Sequence, residues 1–200
     1  MRIKLTPFFH WIKLNPVSKP WLVVGKGPSF ENISKINLND YTVVGLNHVM
    51  FQIPCKFGHA IDLDVYDTDE KFKCEHLITP WEPHIGFKPG NKSLIDLMLE
   101  SKLGHGSVLY YNSSRTKNKG LRTDGPVVKV RHFGSVAVMN LLAMSSCKEV
   151  FTIGVDGGST YSSIFDSKNL LANGRKSFDA QFAEFSETTK LYGTKITPLF

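Results

Sequence analysis

Cysteine is scarce: Cys55, Cys74 and Cys147 lie far apart, with no C-x-x-C pair and no Cys/His cluster at zinc spacing. Neither a disulfide framework nor a structural zinc is indicated, and a reducing cytoplasm is the expected setting. Long apolar runs are missing too; none approaches the roughly 18 residues that cross a bilayer. The opening MRIKLTPFFHWIKLNP is interrupted by charge and lacks a small-residue cleavage site, which speaks against a signal peptide. It reads as an arm packed on its own domain, with a membrane-touching amphipathic segment as the alternative. There is no G-K-[ST] of a Walker loop, no internal repeat, no low-complexity tract, no recognisable Ser-His-Asp arrangement and no nucleophilic cysteine.

What remains is a 200-residue chain with ordinary apolar content (42 %) and a mean hydropathy of −0.13, enough for one domain with a core. The net charge is +6, which favours anionic ligands: nucleotide phosphates, nucleic acid or an anionic surface. Arg115 to Arg122 is the densest basic stretch, but stacking aromatics are not interleaved with it, so it argues little for nucleic acid.

Short apolar runs alternate with helical patterns. Trp21–Val24, Tyr41–Leu46, His59–Val65, Leu77–Trp81, Ser107–Tyr111, Val127–Val130, Glu149–Gly154 and Lys195–Leu199 read as strands. Ser29 is expected to cap a short helix over Phe30–Ile36. Ser93–Lys102, Ser135–Ser145 and Ser177–Tyr192 read as helices, the last presenting Phe178, Phe182, Phe185 and Leu191 to the core. The pattern predicts one α/β domain over residues 1–200, Rossmann-like and three-layered with a mostly parallel sheet. Residues 1–20 form an N-terminal arm and about 162–180 a lid.

Ligands of open α/β sheets bind beyond the carboxyl ends of strands. Four expected strands end in chemistry-bearing residues: Gly25-Lys26-Gly27-Pro28-Ser29, then Asn47, then Asp62-Leu-Asp64, then Gly154-Val-Asp156. Glycine permits close approach to an anion, and a helix start after Ser29 would offer unpaired N–H groups to phosphate. The turn is no dinucleotide fingerprint, since Phe30 stands where a third glycine belongs. On a strand Asp62 and Asp64 share a face, so both would reach one Mg²⁺ or Mn²⁺; one capping a turn and the other solvated is the alternative. His132, with an unperturbed pKa near 6.5, is a candidate base, as are Asp64 and Asp156. His48 and His59 flank strand ends without a motif behind them.

Taken together, G-x-G-P-S after the first strand, Asn47 after the second, an aspartate after the third, and GSVAVMNLLAMSSCKEVFTIGVDGGSTY resemble the bacterial sialyltransferases of glycosyltransferase family 42. They equally resemble the DUF115 group, which includes flagellin-modifying Maf-type proteins and an archaeal pterin pyrophosphokinase. The resemblance runs from Trp21 to about Tyr161. It implies that Gly25, Lys26, Gly27, Pro28 and Ser29 shape a nucleotide pocket, that Asn47 contacts the nucleotide, and that Gly134 and Ser135 lie beside the donor phosphate and sugar. Asp156 matches the acid of the G-x-D strand end, and Tyr161 lies near a tyrosine that holds the leaving phosphate. The chain departs from the pattern in three places. Lys26 replaces asparagine, Gly158 replaces a tyrosine, and Leu170–Asp179 lacks the lid histidine and carries Arg175, a candidate phosphate contact, and Lys176.

The activity so implied is sugar transfer from a nucleotide-activated donor to a glycan, protein or other acceptor. ATP-dependent diphosphate transfer of the DUF115 type, a non-catalytic nucleotide- or protein-binding domain, and a nucleic-acid-modifying transferase are the alternatives. A chain of this length has little room for an acceptor domain, so an open cleft or a lid from a second subunit of a homo-oligomer is expected.

Overall fold

The computed structural model describes residues 4–62, 65, 70–85, 88–89, 106–114, 125–165 and 177–200. In chain order the strands are β1 (Lys4–Pro7), β2 (Trp21–Val24), β3 (Thr42–Leu46), β4 (Cys55–His59), β5 (Cys74–Pro80), β6 (His84–Ile85), β7 (Lys88–Pro89), β8 (Ser107–Ser113), β9 (Val127–Val128), β10 (Glu149–Ile153) and β11 (Lys195–Pro198). The α-helices are α1 (Phe8–Leu14), α2 (Val49–Gln52), α3 (Gly134–Met144) and α4 (Ala180–Tyr192). Among the described residues no helix is long and apolar enough to cross a membrane.

Nine strands form one sheet in the order β1-β8-β5-β4-β3-β2-β10-β11, with β9 beside β8. Every pairing in it is parallel. Parallel strands are covered on both faces, which is why they read as unbroken apolar runs. All four residues of β2 are buried. Alternation sends Trp21 and Val23 to one face, where they join Val136, Met139, Leu142 and Phe185 of α3 and α4. Leu22 and Val24 join Phe30, Val49, Met50 and Phe51 on the other face. The result is the expected α/β fold with three layers. The N-terminal residues belong to it: β1 pairs with β8 at the sheet edge, and Phe8 of α1 is fully buried.

From β2 the strands step outward through β3, β4 and β5 to β8. The chain then returns to lay β10 on the other flank of β2. The strand order reverses between β2 and β10, and such a switch point opens a crevice at the carboxyl ends of the strands.

Three local expectations are corrected. The strand expected over His59–Val65 is β4 (Cys55–His59), which ends where that expectation begins: the ladder with β3 closes as Asn47 N–H donates to the His59 carbonyl at 2.8 Å, and toward β5 it runs one residue further, Ala60 N–H donating to the Ile78 carbonyl at 3.3 Å. Ser29 is not a cap: residues Pro28–Lys35 form a 3-10 helix whose first turn closes on Gly27, with Phe30 N–H donating to the Gly27 carbonyl at 3.0 Å. On α4 the buried face is Gln181, Glu184, Phe185 and Thr188, while Phe182 and Leu191 are 42 % and 70 % exposed. Polar ties displace the expected apolar stripe there: Ser135 Oγ donates to Gln181 Oε1 at 2.8 Å, and Thr188 Oγ1 to Asn140 Oδ1 at 2.7 Å. The helix expected over 93–102 lies outside the described residues.

Candidate functional site

The two signature turns meet at the switch point and bond to each other. Gly25 N–H donates to the Ile153 carbonyl at 2.8 Å and Gly27 N–H to the Gly154 carbonyl at 2.7 Å. Ser29 is the centre of the junction: its Oγ accepts from Gly154 N–H at 2.7 Å and donates to Asp156 Oδ1 at 2.5 Å. Its own N–H donates to Asp156 Oδ2 at 2.7 Å. The glycines are there because nothing larger fits. A Cβ on Gly25 would stand 2.2 Å from the Gly154 oxygen, and one on Gly27 2.5 Å from Asp156 Oδ2. Gly154 itself adopts φ +68°, a conformation that suits glycine.

This alters how the turn binds. The amides of Gly25, Gly27 and Ser29 already have protein acceptors, and Pro28 has no N–H. These three amides therefore weld two strand ends rather than facing an anion. Both oxygens of Asp156 are held by Ser29, which makes it a positioning residue.

A second strap ties the β10 turn to α4. Gly158 N–H donates to Asp179 Oδ1 at 2.8 Å, and Phe178 N–H to the Gly158 carbonyl at 2.7 Å. Gly158 lies at φ +64° in this contact. Ser162 N–H donates to the Lys26 carbonyl at 2.8 Å, which brings Tyr161 beneath the Lys26 side chain. The ammonium stands 4.5 Å from the centroid of the Tyr161 ring. Burial pushes the Tyr161 hydroxyl up to about 12, so it stays protonated.

Beside this junction stand a lysine and two histidines, and one nitrogen of each imidazole has no hydrogen-bond partner. Lys26 is half-buried, has no carboxylate partner among the described residues, and its pKa is lowered to about 8 by burial. His48 Nδ1 is buried without a hydrogen bond, and burial followed by the charge of Lys26 lowers the ring's pKa to about 4. His59, the last residue of β4, is fully buried; burial lowers its pKa to about 3. Its Nε2 lies 3.1 Å from Tyr111 Oη, but Nδ1 has no partner. Asn47 takes φ +51°, a strained conformation for a residue with a side chain, while its N–H donates to the His59 carbonyl at 2.8 Å.

The α3 start closes this side. Its N-cap, Phe133, offers no side-chain cap, and Ser135 Oγ is turned away to Gln181. A Cβ built on Gly134 would lie 3.7 Å from both Nδ1 and Cε1 of His59, so that ring edge faces the helix start. Three ring contacts join the two ends of the wall: Phe133 to Phe178 at 6.1 Å, Phe178 to Tyr161 at 5.4 Å, then Tyr161 to Lys26. His132 is exposed immediately before the helix, its ring 6.1 Å from that of Phe133.

Sequence reasoning thus brought Lys26, Asn47, Gly134 and Tyr161 to one crevice, together with the weld of Gly25, Gly27, Ser29 and Asp156. It gave no role to His48 and His59. The available signal was a histidine closing an apolar strand; the Tyr111 partner, 52 residues away, was invisible. Asp62 lies in the loop beyond β4, so strand alternation does not orient it, while Asp64 and Arg175 lie outside the described residues. Among the described residues no three His, Cys, Asp or Glu side chains gather as a metal site.

No family model matches the sequence. No curated protein matches it either. Among solved structures, the fold is similar to that of the sialyltransferase CST-II, crystallised with a trisaccharide acceptor and CMP. The TM-score is 0.54 at 17 % identity, over 90 % of this chain and 81 % of the other. At that identity the likeness establishes the α/β fold, and the chemistry must be argued from the crevice itself.

Proposed function

We propose that the chain is a glycosyltransferase that draws its sugar from a nucleotide-activated donor, with the nucleotide in the crevice at the ends of β2, β3 and β4. The observation that carries this is Lys26: a half-buried cation with no anionic partner among the described residues, at the switch point of a fold similar to that of a protein crystallised with CMP. A buried charge is costly unless paired, and a phosphate is the partner this position suits.

The acceptor hydroxyl oxygen bonds to the anomeric carbon. The bond from that carbon to the phosphate oxygen breaks, its electron pair leaving on the nucleotide, and the hydroxyl proton passes to a base. Lys26 and the N–H groups of the α3 start offset the charge that grows on the leaving group. His132, exposed beside that helix start, is the base we assign; Asp64 is the alternative. Asp156 acts through Ser29 and keeps the wall in place. Arg175 is assigned to the phosphates, and Asp62 with Asp64 to a divalent cation. Hard cations take carboxylate and phosphate oxygens together.

The test is nucleotide release from CMP-, UDP- and GDP-sugars with a panel of glycan acceptors, with and without Mg²⁺ or Mn²⁺. Acceptor-dependent release from one donor, lost in His132→Gln, is expected. Release of AMP from ATP with transfer of a diphosphate would replace this reading by the other transfer. Binding without turnover would leave a nucleotide-binding domain.

A further inference from the structure

The two strands that bracket the Asp62 loop both begin with cysteine. Cys55 opens β4 and Cys74 opens β5, at the ends of these strands away from the crevice. No sequence spacing pairs them, but the sheet does. They are Cα partners in the parallel ladder, where Cys55 N–H donates to the Lys73 carbonyl at 3.1 Å. The Cys55 thiol hydrogen-bonds to the Cys74 sulfur. Both side chains belong to the core cluster of Met50 and Phe51, at 7 % and 8 % exposure, so neither is sealed from a small oxidant.

Adjacent parallel strands lie about 4.8 Å apart, and disulfides span Cα separations of roughly 4.4–6.8 Å. Two cysteines in register, with their sulfurs already hydrogen-bonded, need only side-chain rotation to be joined. Glycines leave the sulfurs their room. A Cβ on Gly45 would stand 3.2 Å from Cys55 Sγ, and one on its partner Gly58 2.9 Å from Cys74 Sγ. The hydrogen bond to Cys74, then burial, hold the proton on Cys55. When the pair loses one proton the charge therefore sits on Cys74, which is the nucleophile. Cys147 is the contrast: its Sγ donates to the Glu149 carbonyl at 3.1 Å, and burial raises its pKa.

We propose that Cys55 and Cys74 are a reversible thiol–disulfide pair, oxidised by a hydroperoxide. The Cys74 sulfur attacks one peroxide oxygen and the O–O bond breaks. Cys74 becomes a sulfenic acid, and with hydrogen peroxide the other oxygen leaves as water, taking the thiol proton. The Cys55 sulfur then attacks the Cys74 sulfur. The S–O bond breaks, and hydroxide leaves with the Cys55 proton as a second water. The two sulfurs lose two electrons, which the peroxide gains. A dithiol reverses the bridge by thiol–disulfide exchange. The bridge closes a loop over residues 56–73, the segment that contains Asp62 and Asp64. It touches neither nucleotide nor sugar, so it stands apart from the glycosyl-transfer reading.

The experiment treats the folded wild-type chain with a small excess of hydrogen peroxide, stops the reaction with catalase, and measures the intact mass. The thiols are then alkylated in denaturant and the peptides mapped. The expected product is a monomer lighter by about 2 Da, with Cys55 linked to Cys74 and Cys147 still alkylated. Dithiothreitol should restore all three thiols. The oxidised chain should melt roughly 3–10 °C above the reduced one, because the bridge restrains the unfolded chain. Cys147→Ser should form the bridge as wild type does. Cys55→Ala should stop at a Cys74 sulfenic acid that dimedone traps; if that variant fails to fold, the wild-type map decides. Both thiols left intact at a peroxide concentration that oxidises Cys147 would overturn the proposal. So would a bridge that forms only in urea, a Cys74 sulfinic acid in wild type without a bridge, or a bridged chain that melts below the reduced one.

Discussion

The two walls of the crevice differ in one respect. On the wall made by the β2 and β10 turns, Ser29 meets Gly154 and Asp156, and Gly27 meets Gly154; the amides of Gly25, Gly27 and Ser29 find acceptors inside the protein. On the wall made by β3, β4 and the α3 start, His48 Nδ1 and His59 Nδ1 have no partner, and Lys26 reaches over from the first wall with no carboxylate partner among the described residues. The conspicuous sequence signature builds the first wall, and the candidate chemistry faces the second. Satisfied polar groups hold a fold together, whereas buried unsatisfied ones cost stability and persist where a ligand completes them.

The sharpest way to break this contrast is to enlarge a glycine of the weld. Gly154→Ala must hold φ +68° with its Cβ 2.2 Å from the Gly25 oxygen. A loss above about 4 kcal/mol is expected, read as failure to fold or as a urea midpoint shifted far down. Ser29→Ala comes next. It removes one hydrogen bond to a carboxylate and leaves the Gly154 N–H unpaired, for a cost of about 2–3 kcal/mol and a melting temperature lower by roughly 4–12 °C.

On the opposite wall the sign reverses. Lys26→Met is expected to stabilise by about 1–2 kcal/mol while weakening nucleotide binding. In the unfolded chain this lysine titrates near its ordinary value of 10.5, and in the folded protein at about 8. Between those values the unfolded state holds more protons, so this group makes stability rise with pH from about 8 to 10.5. That slope should vanish in Lys26→Met when urea midpoints are compared across the range.

A smaller effect concerns acid. His48 and His59 titrate at about 4 and about 3 when folded, against an ordinary 6.5. The unfolded state takes up protons first, so stability contributed by the neutral rings is present above pH 6.5 and declines as the pH falls toward 3–4. His48→Asn should flatten part of this limb. The least change in stability is expected for His132→Gln, within about 0.5 kcal/mol of wild type as for other exposed positions. Its turnover should fall about 10²- to 10⁴-fold if it serves as the base.

The sheet was legible because parallel strands are unbroken apolar runs: Trp21–Val24 was found to the residue, and β3, β10 and β11 to within one. Strand ends were less legible where pairing decides them, as with β4, whose last residue, His59, pairs with Leu46, the last residue of β3. The weld was misread because Ser29 satisfies every local rule for a helix cap, and its actual partners lie 125 and 127 residues away. The exposed Phe182 and Leu191 show the same limit: spacing marks a helical face, but the partner helix decides which face is covered.

The sheet order also sets a timetable for synthesis. Trp21 pairs on one side with Thr42 and on the other with Val150. At roughly 5–20 residues per second the second neighbour appears on the order of ten seconds after the first. Until then β2 is an open edge, apolar on both faces, of the kind that recruits wrong partners. The β2–β10 junction is therefore among the last contacts to form on the ribosome. A chain truncated before residue 149 retains the signature turn but has nothing to close it.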